Sequence, residues 1–329
     1  VKQYLPKFGI LDTTYKFKLL KVFQSYKEFH SNKKTIITIG TFDGVHVGHQ
    51  SIIKKLTEHN GEYESVLMTF FPHPRMVLNN QSEIKLLNTI TEKSYLLEKA
   101  GLENLIIQPF DKDFAQLTAL EFVRNILVDT LHIQKIIIGH DHRFGVNRSA
   151  DIYDLIRFGN QFHFDVEQIS AQEIKDVSVS STKTRKALSE GQISLANQYL
   201  GYDYLLTGKV VHGKGLGKTI QFPTANLIIE EPYKLIPQNG VYAVYAYLNH
   251  QKVWGMMNIG TNPTVNGKEQ SIEVHFLNFN QDLYDQTISV HLIKRIRDEQ
   301  KFNSIAELKN QLEKDKNQTL EIIKSHEVA

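Results

Sequence analysis

The stretch Gly40-Thr41-Phe42-Asp43-Gly44-Val45-His46-Val47-Gly48-His49 closes an apolar run and leads into the helix-forming stretch Ser51–Thr57. A helix start offers free N–H groups and a partial positive charge to phosphate. Gly48 has no side chain to hold phosphate oxygens off the backbone. His46 and His49, three positions apart, share one helical face and could donate hydrogen bonds to phosphorus oxygens as charge builds in an in-line displacement. An isolated His-x-x-His also occurs as surface decoration or as half a metal site, but a zincin is excluded because no His-Glu-x-x-His is present. A second segment, Gly213-Lys214-Gly215-Leu216-Gly217-Lys218, runs into Phe222-Pro223-Thr224-Ala225-Asn226-Leu227. A P-loop would need glycine where His212 stands and a helix where Pro223 interrupts one; a dinucleotide fingerprint would need glycine at Lys218. What remains is either a different phosphate loop or a flexible hairpin. Pro223 favours an extended approach, so Thr224 and Asn226 point to one side, as hard oxygen ligands suited to Mg²⁺ on nucleotide phosphates. Glu273 alternates with Ile272 and Val274 and faces away from them, as a solvent-facing carboxylate on an amphipathic strand would. Together the segments imply two ATP-dependent reactions on one polypeptide.

The elements that must position these residues change texture along the chain. From Thr35 to about residue 170, β-rich runs (Thr35–Gly40, Ser65–Phe71, Leu105–Gln108, Lys135–Gly139, Phe162–Ile169) alternate with amphipathic stretches such as Thr91–Ala100 and Ala119–Leu131. Continuous apolar runs such as Ile136-Ile137-Ile138 suit strands covered on both faces, hence an α/β fold with a parallel sheet and crossover helices. Functional residues gather at the carboxyl ends of such strands, where Gly40 and Gly139 both lie. Ser180–Leu200 reads as helical, with stops near Gly191 and Gly201. Beyond it, Val241–Leu248, Val253–Ile259, Ser271–Leu277 and Thr287–Ile293 read as an antiparallel barrel or sandwich, with a hairpin at Asn249-His250-Gln251. Ser304-Ile305-Ala306-Glu307 is a capping box for a final helix. This places a first domain over 1–186, a linker over 187–202 and a second domain over 203–329.

A length of 329 residues fits two cores better than one. The formal charge of +2 argues against a dedicated nucleic-acid binder, and the absence of cysteine excludes disulfides, thiolate metal sites and cysteine nucleophiles. No apolar run reaches membrane-spanning length, and the N-terminal residues lack the order of a signal peptide. A cytoplasmic enzyme acting on small molecules, with no nucleic acid or membrane partner, as a monomer or weak homo-oligomer, is the expectation.

Three further segments fit the first site: Phe70-Phe71-Pro72-His73-Pro74-Arg75, Gly139-His140-Asp141-His142-Arg143-Phe144-Gly145, and Ser180-Ser181-Thr182-Lys183-Thr184-Arg185. The last offers hydroxyls at a helix start and an arginine one turn inside, a cradle for pyrophosphate; Ser180 and Ser181 also read as plain N-caps. These segments, with Gly40–His49, resemble the adenylyltransferase half of bacterial bifunctional riboflavin kinase/FAD synthetase, a Rossmann-like nucleotidyltransferase marked by His-x-Gly-His. The resemblance implies that His46 and His49 stabilise the adenylyl-transfer transition state. It also implies nucleotide or flavin contacts at Gly40, Phe42, Asp43, Gly44, Gly48, Pro72, His73, Pro74, Asp141, Gly145, Ser180, Ser181, Thr182 and Arg185. Gly213–Leu227, Asn258–Thr264, Ser271–Phe276, Asp282-Leu283-Tyr284 and Arg297-Asp298-Glu299 resemble the riboflavin kinase module, a six-stranded antiparallel barrel with a C-terminal helix. That implies phosphate or flavin binding at Gly213, Lys214, Gly217, Lys218, Pro223 and Arg297, Mg²⁺ on Thr224 and Asn226, and Glu273 as base on the ribityl hydroxyl. Riboflavin, FMN, FAD and ATP are the implied substrates and products. Two departures are visible: His142 stands where the family usually has phenylalanine, and Asn262 where many bacterial members have a basic residue. Another phosphorylated acceptor for the first site, or a flavin sensor without turnover, are the competing readings.

Overall fold

Apolar side chains along the N-terminal strands sort into two separate clusters, and that sorting explains the architecture of the first half. Ile37, Ile39, Val66, Met68, Ile106, Ile136 and Ile138 join one cluster, while Ile36, Leu67, Leu105, Ile107 and Ile137 join the other. Alternate residues point to opposite faces of a strand, so a continuous run of isoleucines can serve two cores. Each fully buried aliphatic side chain contributes about 1.5–3 kcal/mol. The strands are β1 (Lys21–Phe23), β2 (Thr35–Ile39), β3 (Glu64–Phe71), β4 (Asn104–Pro109), β5 (Ile133–Gly139) and β6 (Asp165–Ile169). They form one parallel sheet in the order β1-β4-β3-β2-β5-β6. The chain leaves β2 toward β3 and β4, then returns to pair β5 on the other side of β2. The order therefore reverses between β2 and β5, the kind of switch point beyond whose carboxyl ends open α/β sheets bind ligands.

The computed structural model describes residues 19–78, 84–139, 142–170, 179–213, 216–264 and 267–328. Around the sheet run α1 (Val47–Thr57), α2 (Pro74–Leu78), α3 (Ile90–Lys99), α4 (Lys112–Ala115), α5 (Ala119–Glu121) and α6 (Ile152–Phe162). The amphipathic stretch Ala119–Leu131 is α5 continued by a π-helical segment, Phe122–Val128, whose Phe122, Val123, Ile126 and Leu127 are buried. Helix α3 opens with a reciprocal cap between Thr89 and Glu92, and ends at Gly101, whose φ of +84° suits a residue without Cβ.

The described residues divide into two compact units, the first running to Ser180 and the second from Ser181. The second begins with α7 (Ser181–Ser189) and α8 (Ile193–Leu200), separated at Gly191 and closed at Gly201, whose φ values are 72° and 75°. Strands β7 (Leu205–Val211), β8 (Ala225–Ile228), β9 (Gly240–Leu248), β10 (Gln251–Thr264), β11 (Gly267–Phe276) and β12 (Thr287–Arg297) follow, with a one-turn helix α9 (Leu216–Thr219) between β7 and β8. They close into an antiparallel barrel in the order β10-β11-β8-β7-β12-β9. Its core holds Tyr242, Val244, Ala246, Met257, Ile259, Val274, Val290 and Leu292, all fully buried. The connection of β9 to β10 turns through Asn249 and His250, both at positive φ. Gly208 interrupts β7 because a Cβ there would come within 2.7 Å of the Ile228 carbonyl.

The chain ends in α10 (Ile305–Val328). Ser304 Oγ accepts from Glu307 N at 3.2 Å, whereas the Glu307 carboxylate takes the N–H of Asn303, one residue before the position the capping box requires. Asp315 on α10 is 1% exposed and receives a forked set of bonds from Arg297, at 2.9 and 3.1 Å from Nε and 2.7 Å from Nη2. Removing one partner of such a buried pair strands the other charge. Asp315→Ala is expected to lower the stability of the second unit by about 3–5 kcal/mol. Urea unfolding followed through Trp254, the chain's only tryptophan and a β10 residue, checks this directly.

Candidate functional sites

The loop between β2 and α1 is held in an unusual conformation. Phe42, Gly44 and Val45 have φ values of 44°, 87° and 40°. For the two non-glycines this costs on the order of 1–3 kcal/mol each and persists only where the surroundings impose it. The surroundings are visible. Phe42 and Val45 are buried, at 3% and 1% exposure. The Asp43 carboxylate accepts the Leu87 N–H at 2.9 Å. The Thr41 carbonyl accepts from Lys93 Nζ at 2.7 Å and from Thr69 Oγ1 at 3.1 Å.

This loop delivers the two imidazoles. Helix α1 begins at Val47, four residues earlier than Ser51, so Gly48 and His49 lie in its first turn and His46 is its N-cap. The His46 ring takes the part of a capping hydroxyl, with Nδ1 accepting from His49 N at 3.4 Å. The rings stack with centroids 3.6 Å apart and planes 16° apart, and Phe42 lies 4.6 Å from the His49 ring. His46 is 7% exposed and His49 half-buried, with the His49 Nδ1 buried and making no hydrogen bond to any of the described residues. Burial first, then the neighbouring His46 and Lys93 charges, hold His49 well below the usual histidine pKa. A neutral imidazole at this position can donate a hydrogen bond without changing charge.

In the barrel, Glu273 on β11 pairs in register with Asn226 on β8. Its neighbours Ile272 and Val274 are buried at 5% and 0%, and Glu273 itself is half-buried on the opposite face. Thr224 Oγ1 donates to Glu273 Oε2 at 3.2 Å. The Asn226 amide lies against Gly213, where any Cβ would collide with it, so the glycine-rich segment and the Thr-Ala-Asn run share one place. Gly217 closes the loop: its carbonyl accepts from Phe222 N at 2.8 Å, and a Cβ there would strike the Phe222 carbonyl. Pro223 O contacts the His275 ring at 2.8 Å. Beside Pro223 and Thr224 opens a cavity of about 310 Å³ lined also by Phe276, Asp282 and Tyr284, with the Tyr284 ring stacked 3.7 Å from His212.

Two family models match the chain, one described as FAD synthetase over residues 28–183 and one described as riboflavin kinase over residues 200–323. A curated protein of Buchnera aphidicola, named bifunctional riboflavin kinase/FMN adenylyltransferase, is 37% identical over 94% of this chain and 98% of its own length. The chain belongs to the bifunctional riboflavin kinase/FMN adenylyltransferase family. Relatives with the same name from Escherichia coli K12 and Listeria monocytogenes are 38% and 36% identical, over 85% and 86% of this chain and 90% and 91% of their own lengths. A crystal structure from Streptococcus pneumoniae, titled a macrolide-efflux protein, superposes with a TM-score of 0.82 at 31% identity, over 92% of this chain and 98% of its own. Its title names a different activity from that of the curated relatives. The paired family models carry the assignment, and among the described residues no helix is long and apolar enough to cross a membrane.

Within this bifunctional family the remaining expected site residues fall into distinct groups. Gly40 stays close to the loop, its N–H bonded to the Met68 carbonyl at 3.1 Å. Pro72 follows a cis peptide bond from Phe71, His73 is 8% exposed with Nδ1 accepting from Arg75 N at 3.1 Å, and Pro74 starts α2. Gly145 follows β5 at φ 75°, with a Cβ position only 3.0 Å from Ala119 N. His142, the departure from the family pattern, stacks 6.0 Å from Phe144. Ser180 directly precedes α7, and Ser181, Thr182 and Arg185 lie on that helix, which groups with the second unit. Arg297 is committed to Asp315 and the Asp298 carbonyl. Lys218 lies on α9. Asp141 and Lys214 lie outside the described residues. Sequence reasoning missed Lys93, whose signal was available: it lies four residues before Leu97 and so falls on the apolar face of α3.

Proposed function

We propose that the two activities of the family run in sequence on this chain, each at one of the two sites described, with named side chains in each role. The chain is a riboflavin kinase and an FMN adenylyltransferase: the barrel phosphorylates riboflavin to FMN, and the parallel-sheet unit adenylylates FMN to FAD. In the first reaction the primary ribityl hydroxyl attacks the γ-phosphorus of ATP, the bond to the β-phosphate oxygen breaks, and ADP leaves. Glu273 accepts the hydroxyl proton, a role suited to a carboxylate facing away from the core on a rigid strand. In the second reaction an FMN phosphate oxygen attacks the α-phosphorus of another ATP and pyrophosphate departs. The phosphate monoester is already a competent nucleophile, so His46 and His49 act by hydrogen bonding to the phosphorus oxygens rather than by covalent chemistry.

Thr224 and Asn226 fit Mg²⁺. The Thr224 hydroxyl gives its proton to Glu273 and keeps its lone pairs for a cation, and the Asn226 amide offers an oxygen beside Gly213 of the phosphate loop. When bound, the ion neutralises nucleotide phosphate charge during transfer. Ser181, Thr182 and Arg185 are assigned to ATP phosphates, and the cytoplasm, with its ATP supply, is the proposed compartment. The observation that carries the kinase assignment is the Thr224–Glu273 hydrogen bond, which sets a base on β11 beside a metal ligand that directly precedes β8.

Incubation with riboflavin, ATP and Mg²⁺, followed by chromatographic separation, is expected to show FMN first and FAD later, with pyrophosphate released in step with FAD. FMN that accumulates without FAD, while another phosphorylated metabolite is adenylylated, would redirect the first site to a different acceptor.

A further inference from the structure

Lys93 is 4% exposed, and lysine is rarely so deeply buried without a specific partner. Its Nζ donates to the Thr41 carbonyl at 2.7 Å and reaches Thr69 Oγ1 at 3.4 Å, and Thr69 Oγ1 also donates to Thr41 O. Both lone pairs of one loop carbonyl are thereby taken. A buried ammonium is an expensive brace, because an apolar side chain of similar volume fills the same space without desolvating a charge. Its value lies in what it is attached to. Thr41 precedes Phe42, which holds a left-handed backbone and packs its ring against His49, which stacks on His46. The route from ammonium to imidazole pair is continuous, one contact at a time.

We propose that Lys93 is the positioning residue of the adenylyl-transfer site: its ammonium, from beneath the loop, fixes the Thr41–Val45 turn and through it the stacked imidazoles. This rests on the assignment of His46 and His49 to that reaction. The same charge acts on the ring it positions. The titratable groups around the pair are Asp43, His46 and His49 of the loop and, on the lysine's own helix, Glu92, whose carboxylate takes the Thr89 N–H. Asp43 favours the Lys93 charge, yet burial outweighs it and brings the ammonium pKa down to about 8. The Lys93 charge in turn helps to keep His49 neutral. The lysine thus holds the histidine in place and adds to the burial and the His46 charge that keep it neutral.

The test uses the full chain, assaying pyrophosphate release from FMN and ATP alongside phosphorylation of riboflavin. Lys93→Met is expected to lower kcat for adenylylation about 100-fold, the scale of a small misplacement of a reacting group, with little change in KM for FMN. Riboflavin phosphorylation is expected to be unchanged. Lys93→Arg, which keeps the charge, is expected to recover part of the rate. The acid limb of kcat/KM for Lys93→Met is expected to move up toward the ordinary histidine range, because His49 has lost a repelling charge. A merely structural brace would leave that limb where it is. Wild-type kcat and pH profile in Lys93→Met would overturn the proposal. Should Lys93→Met fail to fold, the wild-type chain still decides: kcat/KM for adenylylation is expected to fall on the alkaline side near pH 8, as the ammonium is lost, without a matching fall in the kinase reaction. A flat adenylylation profile through that range overturns it. His49→Ala in the same assay separates the two ideas, since full activity there removes the imidazole assignment, whereas full activity in Lys93→Met alone removes only the lysine.

Discussion

Glu273→Gln is expected to suppress FMN formation from riboflavin by about 10²–10⁴-fold, the usual contribution of a positioned general base. FAD formation from supplied FMN is expected to continue at the wild-type rate. The substitution is close to isosteric, and the glutamine carbonyl can still accept the Thr224 hydroxyl proton that Glu273 Oε2 accepts at 3.2 Å. Strand register should survive as well, because the Glu273–Asn226 pairing is made through the backbone and the neighbouring Ile272 and Val274 remain in the core. What the amide lacks is basicity. Separate assays of the two half-reactions on one preparation therefore isolate that property. Equal loss of both reactions would contradict two independent sites and would count against the assignment of the base to the barrel.

Replacing both His46 and His49 by alanine is expected to give the opposite pattern, with FMN accumulating and FAD formation reduced by at least 10²–10³-fold, the cost of removing a single transition-state donor. The single His49→Ala variant is the more informative of the two. His46 caps α1 through Nδ1, so its loss also disturbs the helix start, whereas among the described residues His49 makes a ring stack, a backbone bond and a contact with Phe42. The pH dependence has a definite sign. Because its folded pKa lies well below the ordinary histidine value of about 6.5, His49 is already neutral at pH 7, and the acid limb of kcat/KM for adenylylation belongs below about pH 6.5. Over the same interval the unfolded chain binds a proton that the folded chain does not, so acidification through that window removes stability. An acid limb at or above the ordinary histidine value would contradict a neutral His49.

Where side-chain periodicity was long, the sequence carried the fold plainly. The Ile136–Ile138 run belongs to β5 of a parallel sheet, the alternation around Glu273 matches its half-buried face, and Gly191 and Gly201 take the positive φ that ends the two helices before the barrel. Short elements were not legible in this way. β1 spans three residues and β8 four, too few for alternation to register, and the side-chain pattern of β7 is interrupted by Gly208, where a Cβ would meet the Ile228 carbonyl of β8. The start of α1 was displaced because an imidazole nitrogen supplies the cap, a chemistry outside the usual serine, threonine and aspartate signals. Lys93 was overlooked for a related reason. A lysine in an amphipathic helix is ordinarily solvated; its place on the apolar face of α3 hinted otherwise, but its role rests on its partners Thr41 and Thr69, which lie on other elements.

The closed order of the kinase strands bears on how that half comes apart. A sheet with free margins can lose its outermost strand and shrink by stages, but a ring must first be cut before any strand can peel away. Its first breach is the costly one, after which the remaining ladder has two raw ends and little reason to persist. The kinase half should accordingly exist whole or not at all, since every strand of the ring has a neighbour on each side.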